Sequence, residues 1–529
     1  MVDNIFAQMK RNEAVAPKRM PKTIAMINMI ASIIMLGCIF IVVDSLALAY
    51  RTELQVVIAS AVFFYIWALI VLYRREGRIG YFWILLLVSF PFFFGQQVLG
   101  AFDIKTTRIM INIGQLSDST VWCASFFVLA CVLTVCCGYL FLRDEACEAR
   151  PFDPSPGNES LRKACICLFV ILLLPTVVYL VSNVSLSASL GYGARIDPSN
   201  ARHGVDNIVG ILAQLMPYVL LGLLVSKKPG EKWQIVCLIA YYGLYMVSGS
   251  RSSVFSAIPV FAYLWVSLFT KKSAKTQLLI LVAALLALGA LFSFISFARA
   301  FATSGGYSDI GALMAENNIF VDILQEAGQT FVATGALIER VPQVIQQTSG
   351  STYLAGILYI LPNGVTGNYY ASVPSVDELV APYLTSYGGV GSSFIAEGYL
   401  NFGPWCLILF FGYGLLIAWM ANLADKELNK GNLMALFVVA ACFLAFSFFI
   451  RSDVRTFPRT FLWDILPIII VQQVFYTRLA RGGKRDGGKD KNSPPAREAR
   501  FAPRRVASSA TSDSPVYRVA DSGAYLKDD

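Results

Sequence analysis

The stretch TIAMINMIASIIMLGCIFIVV, residues 23–43, contains no charged side chain. The apolar core of a bilayer is about 30 Å thick, and a helix of roughly 17–25 apolar residues crosses it. An A-x-A-like sequence, ALA at 47–49, follows this stretch, but the apolar run is too long for a signal peptide. We therefore interpret residues 23–43 as a membrane anchor.

The rest of the chain has the same character. Of its 529 residues, 56% are hydrophobic and 15% are charged, whereas about a quarter of a soluble domain is charged. The pattern predicts an all-α polytopic membrane protein with about 12 transmembrane helices and a long extracytoplasmic loop carrying amphipathic helices. The predicted spans are 23–43, 54–73, 80–100, 121–142, 164–182, 207–226, 233–249, 252–270, 277–298, 403–422, 432–450 and 461–477.

The distribution of Lys and Arg predicts the orientation. With the N-terminus inside, 32 of the 43 basic residues fall in segments predicted to be cytoplasmic, as the positive-inside rule requires. Both termini are then cytoplasmic. The predicted organisation is an N-terminal segment 1–22, a transmembrane domain 23–477 and a basic tail 478–529. The tail has too few apolar residues to fold alone, which favours a disordered tail at lipid headgroups over nucleic-acid binding.

Several kinds of chemistry lack their sequence signals. The eleven cysteines lie mostly in or beside apolar runs without zinc-like spacing, so we expect neither a metal site nor disulfides. There is no phosphate-binding GxxxxGK[ST] loop, no HExxH and no DxD sequence. We therefore expect any enzymatic activity to lie on the outer face, without a cofactor, on a substrate that is already activated.

The longest predicted outside loop is 300–402, with eight acidic residues and one basic residue, Arg340. A loop of this length without structure is unusual. A second apolar stretch, YLAGILYILPN (353–363), ends near Pro362. We predict amphipathic helices that lie on the membrane or cap the mouth of the bundle. In the first half of the loop, apolar residues recur near helical spacing at Ile310, Leu313, Met314, Phe320, Ile323, Leu324, Phe331, Leu337, Ile338 and Val341.

The basic residues on the outer side are mostly arginines. Three of them, Arg451, Arg455 and Arg459, share the short loop RSDVRTFPRT (451–460), where the positive-inside rule disfavours them. The planar guanidinium binds phosphate oxygens through two parallel hydrogen bonds. A bound anionic substrate is our preferred explanation, and lipid headgroup phosphates are the alternative.

Two further charged residues lie at predicted span ends. Arg251, in GSRSS (249–253), lies at the tip of a helical hairpin close to the apolar zone, where an unpaired charge is costly. It either binds substrate or pairs with an acid of the long loop. Glu397, in GSSFIAEGYLNFGPW (391–405), either pairs with an arginine or accepts a proton from a hydroxyl.

These strings resemble the Wzy-type polymerases of bacterial surface polysaccharides, the O-antigen polymerase family. The resemblance rests on GSRSSVFSAIP (249–259), ILPN (360–363), GGVGSSFIAEGYLNFGPW (388–405) and RSDVRTFPR (451–459), and it extends over most of 23–477. It implies a metal-free, GT-C-like enzyme of the bacterial cytoplasmic membrane. Such an enzyme transfers a growing glycan from undecaprenyl pyrophosphate to the next undecaprenyl-linked repeat unit. The resemblance also implies a chain-length-regulating co-polymerase as a partner. The apolar spans and the basic tail predict membrane lipids as partners and no nucleic acid.

The resemblance also implies roles for individual residues. Pyrophosphate binding falls to Arg251, Arg451 and Arg455, with Arg459 assisting. The candidates for the base are His203, Glu397 and Glu326; related ligases use an arginine and a histidine outside the membrane, for which Arg202 and His203 are the counterparts here. Arg195 and Arg340 are assigned to orienting acceptor sugars.

Three alternatives remain open at this level. A ligase of the same superfamily would move finished glycan to another acceptor. A transporter or flippase of lipid-linked sugars would carry ionisable residues in the middle of its spans, yet the predicted spans are nearly free of charge there. A scaffold that organises other enzymes would leave the outer arginines without a function.

Overall fold

The computed structural model describes residues 19–46, 48–104, 111–144, 156–190, 205–228, 230–248, 251–269, 274–303, 318–361, 363–367, 369–384 and 391–486. These residues form helices and contain no strand. The chain divides into two units, residues 1–480 and 481–529. Most of the predicted terminal segments 1–22 and 478–529 lies outside the described residues.

The membrane bundle is built from helices that coincide with the predicted spans. The first nine spans correspond to α1 (Lys22–Leu46), α2 (Tyr50–Glu76), α3 (Tyr81–Ala101), α4 (Asp118–Leu142), α5 (Pro156–Leu190), α6 (Val205–Gln214) with α7 (Met216–Val225), α8 (Trp233–Val247), α9 (Arg251–Leu264) with a π-helical turn Trp265–Phe269, and α10 (Ala274–Thr303). The last three correspond to α18 (Cys406–Lys430), α19 (Leu433–Phe448) and the run from α20 (Phe457–Thr460) through π-helical Phe461–Ile465 to α21 (Leu466–Asp486).

Eight helices of the described chain are long and apolar enough to cross a bilayer, and four shorter apolar helices accompany them. The shorter four are Trp233–Val247, Val254–Leu268, Ala274–Ala287 and Leu433–Phe448. The prediction of an all-α polytopic membrane protein is therefore confirmed. One face of α1 points away from the bundle and presents isoleucines that suit contact with lipid tails. On this face Ile27, Ile34 and Ile41 are 59%, 62% and 66% exposed.

The centre of the bundle is the parallel pair α4 and α18. A Cβ atom added to Gly138 would lie 2.0 Å from the Phe411 carbonyl oxygen, and one added to Gly414 would lie 2.2 Å from that of Val135. Glycine is therefore required on both helices, because only its missing side chain lets the two backbones approach this closely. At the far end, Asn422 Nδ2 donates to the Leu142 carbonyl at 2.9 Å.

The C-terminal ends of α2 and α4 are joined to the C-terminal half of α18 by a buried ionic network. Arg143, 1% exposed, donates from Nη2 to Asp425 Oδ2 at 2.7 Å and from Nη1 to Asn422 Oδ1 at 2.7 Å. Its Nε lies 3.3 Å from Glu76 Oε1. The remaining members bond the same two acids. We call this set the Arg143 network; it consists of Glu76, Arg78, Tyr139, Arg143, Asn422 and Asp425.

The long loop between α10 and α18 folds into short helices packed against the bundle. They are α11 (Ile319–Ala327), α12 (Gln329–Arg340), α13 (Ser351–Leu358), α14 (Asn363–Thr366), α15 (Tyr369–Ser372), α16 (Val376–Val380) and α17 (Phe394–Phe402). The predicted first helix is interrupted at Gly328, where an added Cβ would lie 2.5 Å from the Gln96 nitrogen. Of the apolar residues that suggested it, Ile310, Leu313 and Met314 lie outside the described residues.

The interior packing of α11 and α12 distinguishes between the two predicted placements of the loop helices. Gly95 of α3 meets the carbonyl of Leu324, and Gln96 Nε2 donates to the Gln325 carbonyl at 3.0 Å. Phe331 and Leu337 of α12 are fully buried. These two helices therefore pack into the bundle rather than lying on a membrane surface.

Candidate functional site

Helix α17 positions Glu397, one of the site residues predicted from the sequence. Ser393 caps the helix by accepting from the Ala396 nitrogen at 3.2 Å, and Gly403, with φ +55°, ends it. The Phe394 nitrogen donates to the Phe449 carbonyl at 2.9 Å, which fixes the start of α17 to the end of α19. Glu397 and Asn401 are one turn apart and therefore share one face of the helix.

Glu397 is fully buried and bonded to two other segments of the chain. Its Oε1 accepts from Thr352 Oγ1 of α13 at 2.8 Å, and its Oε2 accepts from the backbone nitrogen of Val454. Asn401 Nδ2 donates to both the Glu397 carbonyl and Thr352 Oγ1 at 2.7 Å. A buried carboxylate needs such donors because desolvation would otherwise make its charge costly. Glu397 thus joins α13, α17 and the arginine loop 451–460.

The arginine loop places Arg455 in the interior. Residues Val454–Thr456 form a 3₁₀ turn, and Arg455 is 8% exposed. Its Nε donates to Asp453 Oδ2 at 2.7 Å, and its Nη1 donates to the Val373 carbonyl at 2.9 Å. The backbone of Arg455 touches Gly356, where an added Cβ would lie 2.5 Å from the Arg455 carbonyl oxygen. The loop can therefore approach α13 only because residue 356 is glycine.

Two tyrosines stack between two of the predicted arginines. The rings of Tyr359 and Tyr370 are parallel to within 13° with centroids 3.6 Å apart. The Arg455 guanidinium lies over Tyr370 at 4.6 Å, and that of Arg459 lies over Tyr359 at 4.1 Å. An aromatic face attracts a cation and holds the plane of the guanidinium. The residues Thr352, Tyr359, Tyr370, Glu397, Asn401, Asp453, Arg455 and Arg459 are here called the Glu397 cluster.

The charges of the cluster act on one another at short range. Burial raises the pKa of Asp453, and the Arg455 guanidinium beside it acts in the opposite direction. The Asp453 carboxylate repels the negative charge of Glu397, and the Arg455 guanidinium attracts it. The cluster thus combines two carboxylates with two guanidiniums in a partly desolvated site, where Coulombic interactions are stronger than in water.

Arg451 and Glu326 lie next to each other. Arg451 Nη1 is 3.5 Å from the Glu326 carbonyl oxygen, so the contact is to the backbone of that residue. The Arg451 side chain also passes over Gly391, where an added Cβ would lie 2.8 Å from its Nε. Gly391 has φ +78°, a conformation that favours glycine. The structure therefore brings together two residues that the sequence placed in different roles.

Arg340 lies at the end of α12, where it pairs with its own neighbour. Its Nη1 donates to Glu339 Oε2 at 2.6 Å, and its guanidinium lies 4.9 Å from the centre of the Tyr383 ring. Glu339 also accepts from the Ser117 nitrogen at 3.1 Å and from Thr120 Oγ1 at 3.2 Å. These hydrogen bonds hold the pKa of Glu339 below its usual value, although burial opposes them. Arg340 thus takes part in docking α12 onto the start of α4.

The remaining predicted site residues cannot be placed. His203, Arg202 and Arg195 lie outside the described residues. Arg251 is the first residue of α9, and its backbone alone is described.

Sequence reasoning missed the partners that surround Glu397 and the arginines. Asp453 stands inside the quoted arginine loop, and its i+2 spacing to Arg455 was a readable signal. Thr352, Tyr359 and Tyr370 carried no signal of their own, because they contact the site across about 45 to 100 residues of sequence. Tyrosines are common at membrane interfaces, so Tyr359 and Tyr370 do not stand out in the sequence.

Comparison with known proteins identifies the family of the chain. Residues 24–481 match the family model described as O-antigen polysaccharide polymerase Wzy. No curated protein and no solved structure gives a match. The matched region begins inside α1 and ends inside α21, so it includes every helix between them and the complete Glu397 cluster. The chain therefore belongs to the Wzy family of O-antigen polysaccharide polymerases.

Proposed function

We propose that this membrane polymerase extends a surface polysaccharide at the Glu397 cluster, on the extracytoplasmic face. It transfers the growing glycan from undecaprenyl pyrophosphate to the terminal sugar of the next undecaprenyl-linked repeat unit. Family membership over residues 24–481 supports polymerisation of repeat units. The observation that carries the site is the convergence of Glu397 and of the stacked tyrosines Tyr359 and Tyr370 on one loop that holds both Arg455 and Arg459.

In the reaction, a hydroxyl oxygen of the acceptor bonds to the anomeric carbon of the donor glycan. The bond from that carbon to the pyrophosphate oxygen breaks, and its electron pair stays on the pyrophosphate. The proton of the hydroxyl passes to a base. Negative charge grows on the leaving oxygen, so preorganised cations lower the barrier.

The guanidiniums of Arg451, Arg455 and Arg459 are proposed to hold the pyrophosphate, together with Arg251. A tyrosine ring covers the flat face of a guanidinium and leaves its N–H edge directed sideways, which suits binding of phosphate oxygens. In Arg455, Nε and Nη1 already donate to Asp453 and to the Val373 carbonyl, so Nη2 is the group proposed to meet a phosphate oxygen. The stacked pair Tyr359 and Tyr370 supports this arrangement by fixing two guanidinium planes.

Glu397 is proposed to position the arginine loop. Its full burial and its bonds to the Val454 nitrogen and to Thr352 support this role, because both carboxylate oxygens already accept hydrogen bonds. His203 and Glu326 remain the proposed bases. Arg202, Arg195 and Arg340 remain proposed contacts to sugar.

The test is an electrophoretic profile of surface and lipid-linked glycans from a deletion strain complemented with variants. Wild type restores the long ladder, whereas Arg455→Ala and Arg251→Ala leave single repeats attached to their acceptor. Arg162→Ala is the control for Arg455→Ala, since Arg162 is also ion-paired, 2.5 Å from Glu231, but lies outside the Glu397 cluster. Immunoblots of membranes establish that all variants accumulate equally.

The outcomes separate the alternatives. Loss of all attached glycan, with polymer left on its lipid carrier, would indicate a ligase instead. An unchanged ladder in the deletion strain would overturn the proposed polymerisation. A ladder restored by Arg455→Ala as well as by wild type would move the site away from the Glu397 cluster.

A further inference from the structure

A second feature of the loop region is an open cleft beside the Glu397 cluster. It lies between the segment that links α12 to α13 and the helices that follow α15, and its volume is about 650 Å³. Ligand sites of proteins occupy roughly 300–1,000 Å³, so the cleft is large enough for a small oligosaccharide. Its polar wall consists of Gln346, Gln347, Thr348, Glu378 and Tyr383.

The chemistry of this wall fits hydroxyl-rich ligands. Gln346 and Gln347 are exposed, and each amide both donates and accepts hydrogen bonds, as each sugar hydroxyl does. Glu378 adds a carboxylate next to them; its Oε2 accepts from the Ser375 nitrogen at 2.8 Å, which fixes the side chain in a capping box. Such a wall can satisfy neighbouring hydroxyls without selecting for a charged ligand.

Tyr383 offers the apolar surface that a sugar ring also needs. It is 42% exposed, and the Arg340 guanidinium lies 4.9 Å from its ring centre. The ion pair of Arg340 with Glu339 at 2.6 Å holds that guanidinium in place. An aromatic face attracts the weakly positive C–H groups on one side of a pyranose ring. The cleft therefore combines a stacking platform with amides at its side.

The cleft is coupled to the Glu397 cluster by hydrogen bonds. Thr348, in the cleft wall, donates from Oγ1 to Asn401 Oδ1 at 2.8 Å. Asn401 Nδ2 donates to Thr352 Oγ1 at 2.7 Å, and Thr352 Oγ1 donates to Glu397 Oε1 at 2.8 Å. Three consecutive bonds thus connect the cleft wall to the residue that holds the arginine loop.

We propose that this cleft is a glycan-binding subsite that holds sugars of the oligosaccharide while its reacting end lies at the Glu397 cluster. The inference rests on the proposed function, since it names the part of the substrate that the same site takes. Binding of the glycan here would orient the reacting sugar through Thr348 and Asn401. Because the reacting atoms are elsewhere, loss of the cleft contacts weakens substrate binding more than it slows the chemical step.

The test measures binding of a defined probe to the full-length protein in nanodiscs. The probe is a set of oligosaccharides of one, two and three repeat units, cut from the polysaccharide of the source strain, and saturation-transfer NMR reports the affinity. We expect Tyr383→Ala to weaken binding about 10-fold and Tyr383→Phe to preserve it, because the aromatic face is the binding element. Tyr476→Ala is the matched control, since Tyr476 is also 42% exposed but lies on α21.

Two results would overturn the subsite: no binding of the probes to the wild-type protein, or equal binding to wild type and Tyr383→Ala. The glycan ladder distinguishes this failure from failure of the proposed function. A ladder that depends on the protein, with binding indifferent to Tyr383, removes the subsite and leaves the polymerase. A ladder unaffected by deletion, with binding dependent on Tyr383, removes the polymerase activity and leaves the glycan site.

Discussion

The Arg143 network and the Glu397 cluster each contain two guanidiniums and two carboxylates, yet they use them differently. In the Arg143 network, both acids are bonded directly to arginine, and Arg143 and Glu76 are 1% and 2% exposed. In the Glu397 cluster, Arg459 lies on a tyrosine ring, and Glu397 accepts from a hydroxyl and a backbone nitrogen. The ion pair of Arg455 with Asp453 is the cluster's direct bond between opposite charges.

The partners of a guanidinium distinguish a structural arginine from one that binds a ligand. When acids saturate a buried guanidinium, it serves as a clamp, because removing one partner leaves an unpaired charge in the interior. When an aromatic ring covers its face, the guanidinium keeps its plane and its capacity to bind an anion. Burial alone does not separate the two cases, since Arg455 is also only 8% exposed.

The largest expected effect is on the clamp. We expect Arg143→Ala to destabilise the protein by about 3–5 kcal/mol, because Glu76 and Asp425 would remain buried without their shared partner. The measurement is the fraction of monodisperse protein in detergent after stepwise heating. Lys163→Ala is the control; its pair with Glu159 is 44% and 52% exposed and should contribute at most about 1 kcal/mol. Equal melting temperatures for Arg143→Ala and Lys163→Ala would contradict a stabilising role for the Arg143 network.

The second-largest expected effect is a slower rate of polymerisation in a variant that still folds. We expect Arg459→Ala to slow polymerisation about 10²-fold, because one preorganised donor to the leaving pyrophosphate is removed. Melting should stay close to wild type, since Arg459 rests on a ring rather than in a buried ion pair. The rate is measured as repeat units joined per minute in membranes supplied with lipid-linked repeats. A variant that unfolds like Arg143→Ala would erase the contrast between the two regions.

Substitutions of Glu397 separate a positioning role from proton transfer, because the two roles respond differently to a conservative change. Glu397→Ala should cost about 1–3 kcal/mol of stability by leaving the Val454 nitrogen and Thr352 without their acceptor. Glu397→Gln retains an acceptor oxygen for one of them, so we expect it to restore most of the rate. If Glu397→Gln proves as inactive as Glu397→Ala while melting like wild type, Glu397 is the base rather than the positioning residue.

The smallest effect concerns the aromatic stack. Tyr359→Leu should weaken the holding of Arg459 by about 0.5–1.5 kcal/mol, the usual contribution of an aromatic pair or an exposed cation–π contact. Tyr359→Phe keeps the ring and should behave like wild type. The readout is the concentration of lipid-linked repeat that gives half-maximal rate. An identical value for Tyr359→Leu and wild type would show that the ring does not hold the arginine.

The membrane spans could be predicted because they are set by local properties. A run such as 23–43 must be helical in lipid, since each of its backbone groups needs an internal hydrogen bond there. Length and hydropathy therefore located all twelve helical segments, although four came out shorter than a full span. The orientation remains a prediction, as it depends on loop charges rather than on packing.

The Arg143 network shows the opposite situation. In the sequence, Arg78 and Arg143 contribute only to the cytoplasmic positive charge. Glu76, Asn422 and Asp425 belong to no recognisable motif. Their partners lie up to 347 residues apart, as for Arg78 and Asp425. No pattern in a single sequence links positions at that separation.

The amino-acid sequence was sufficient to identify a helical membrane protein, the concentration of arginines at 451–459 and the position of Glu397 before a late span. It could do so because hydropathy and residue type are read position by position. Which arginines contact acids and which contact tyrosines depends on how the chain folds. These contacts follow from a close backbone approach at Gly356 and from the packing of the Arg451 side chain on Gly391, which bring the arginine loop against α13 and the segment before α17. The chemistry of the site depends on those distances. The distance between two residues far apart in sequence is set by tertiary packing rather than by their local sequence.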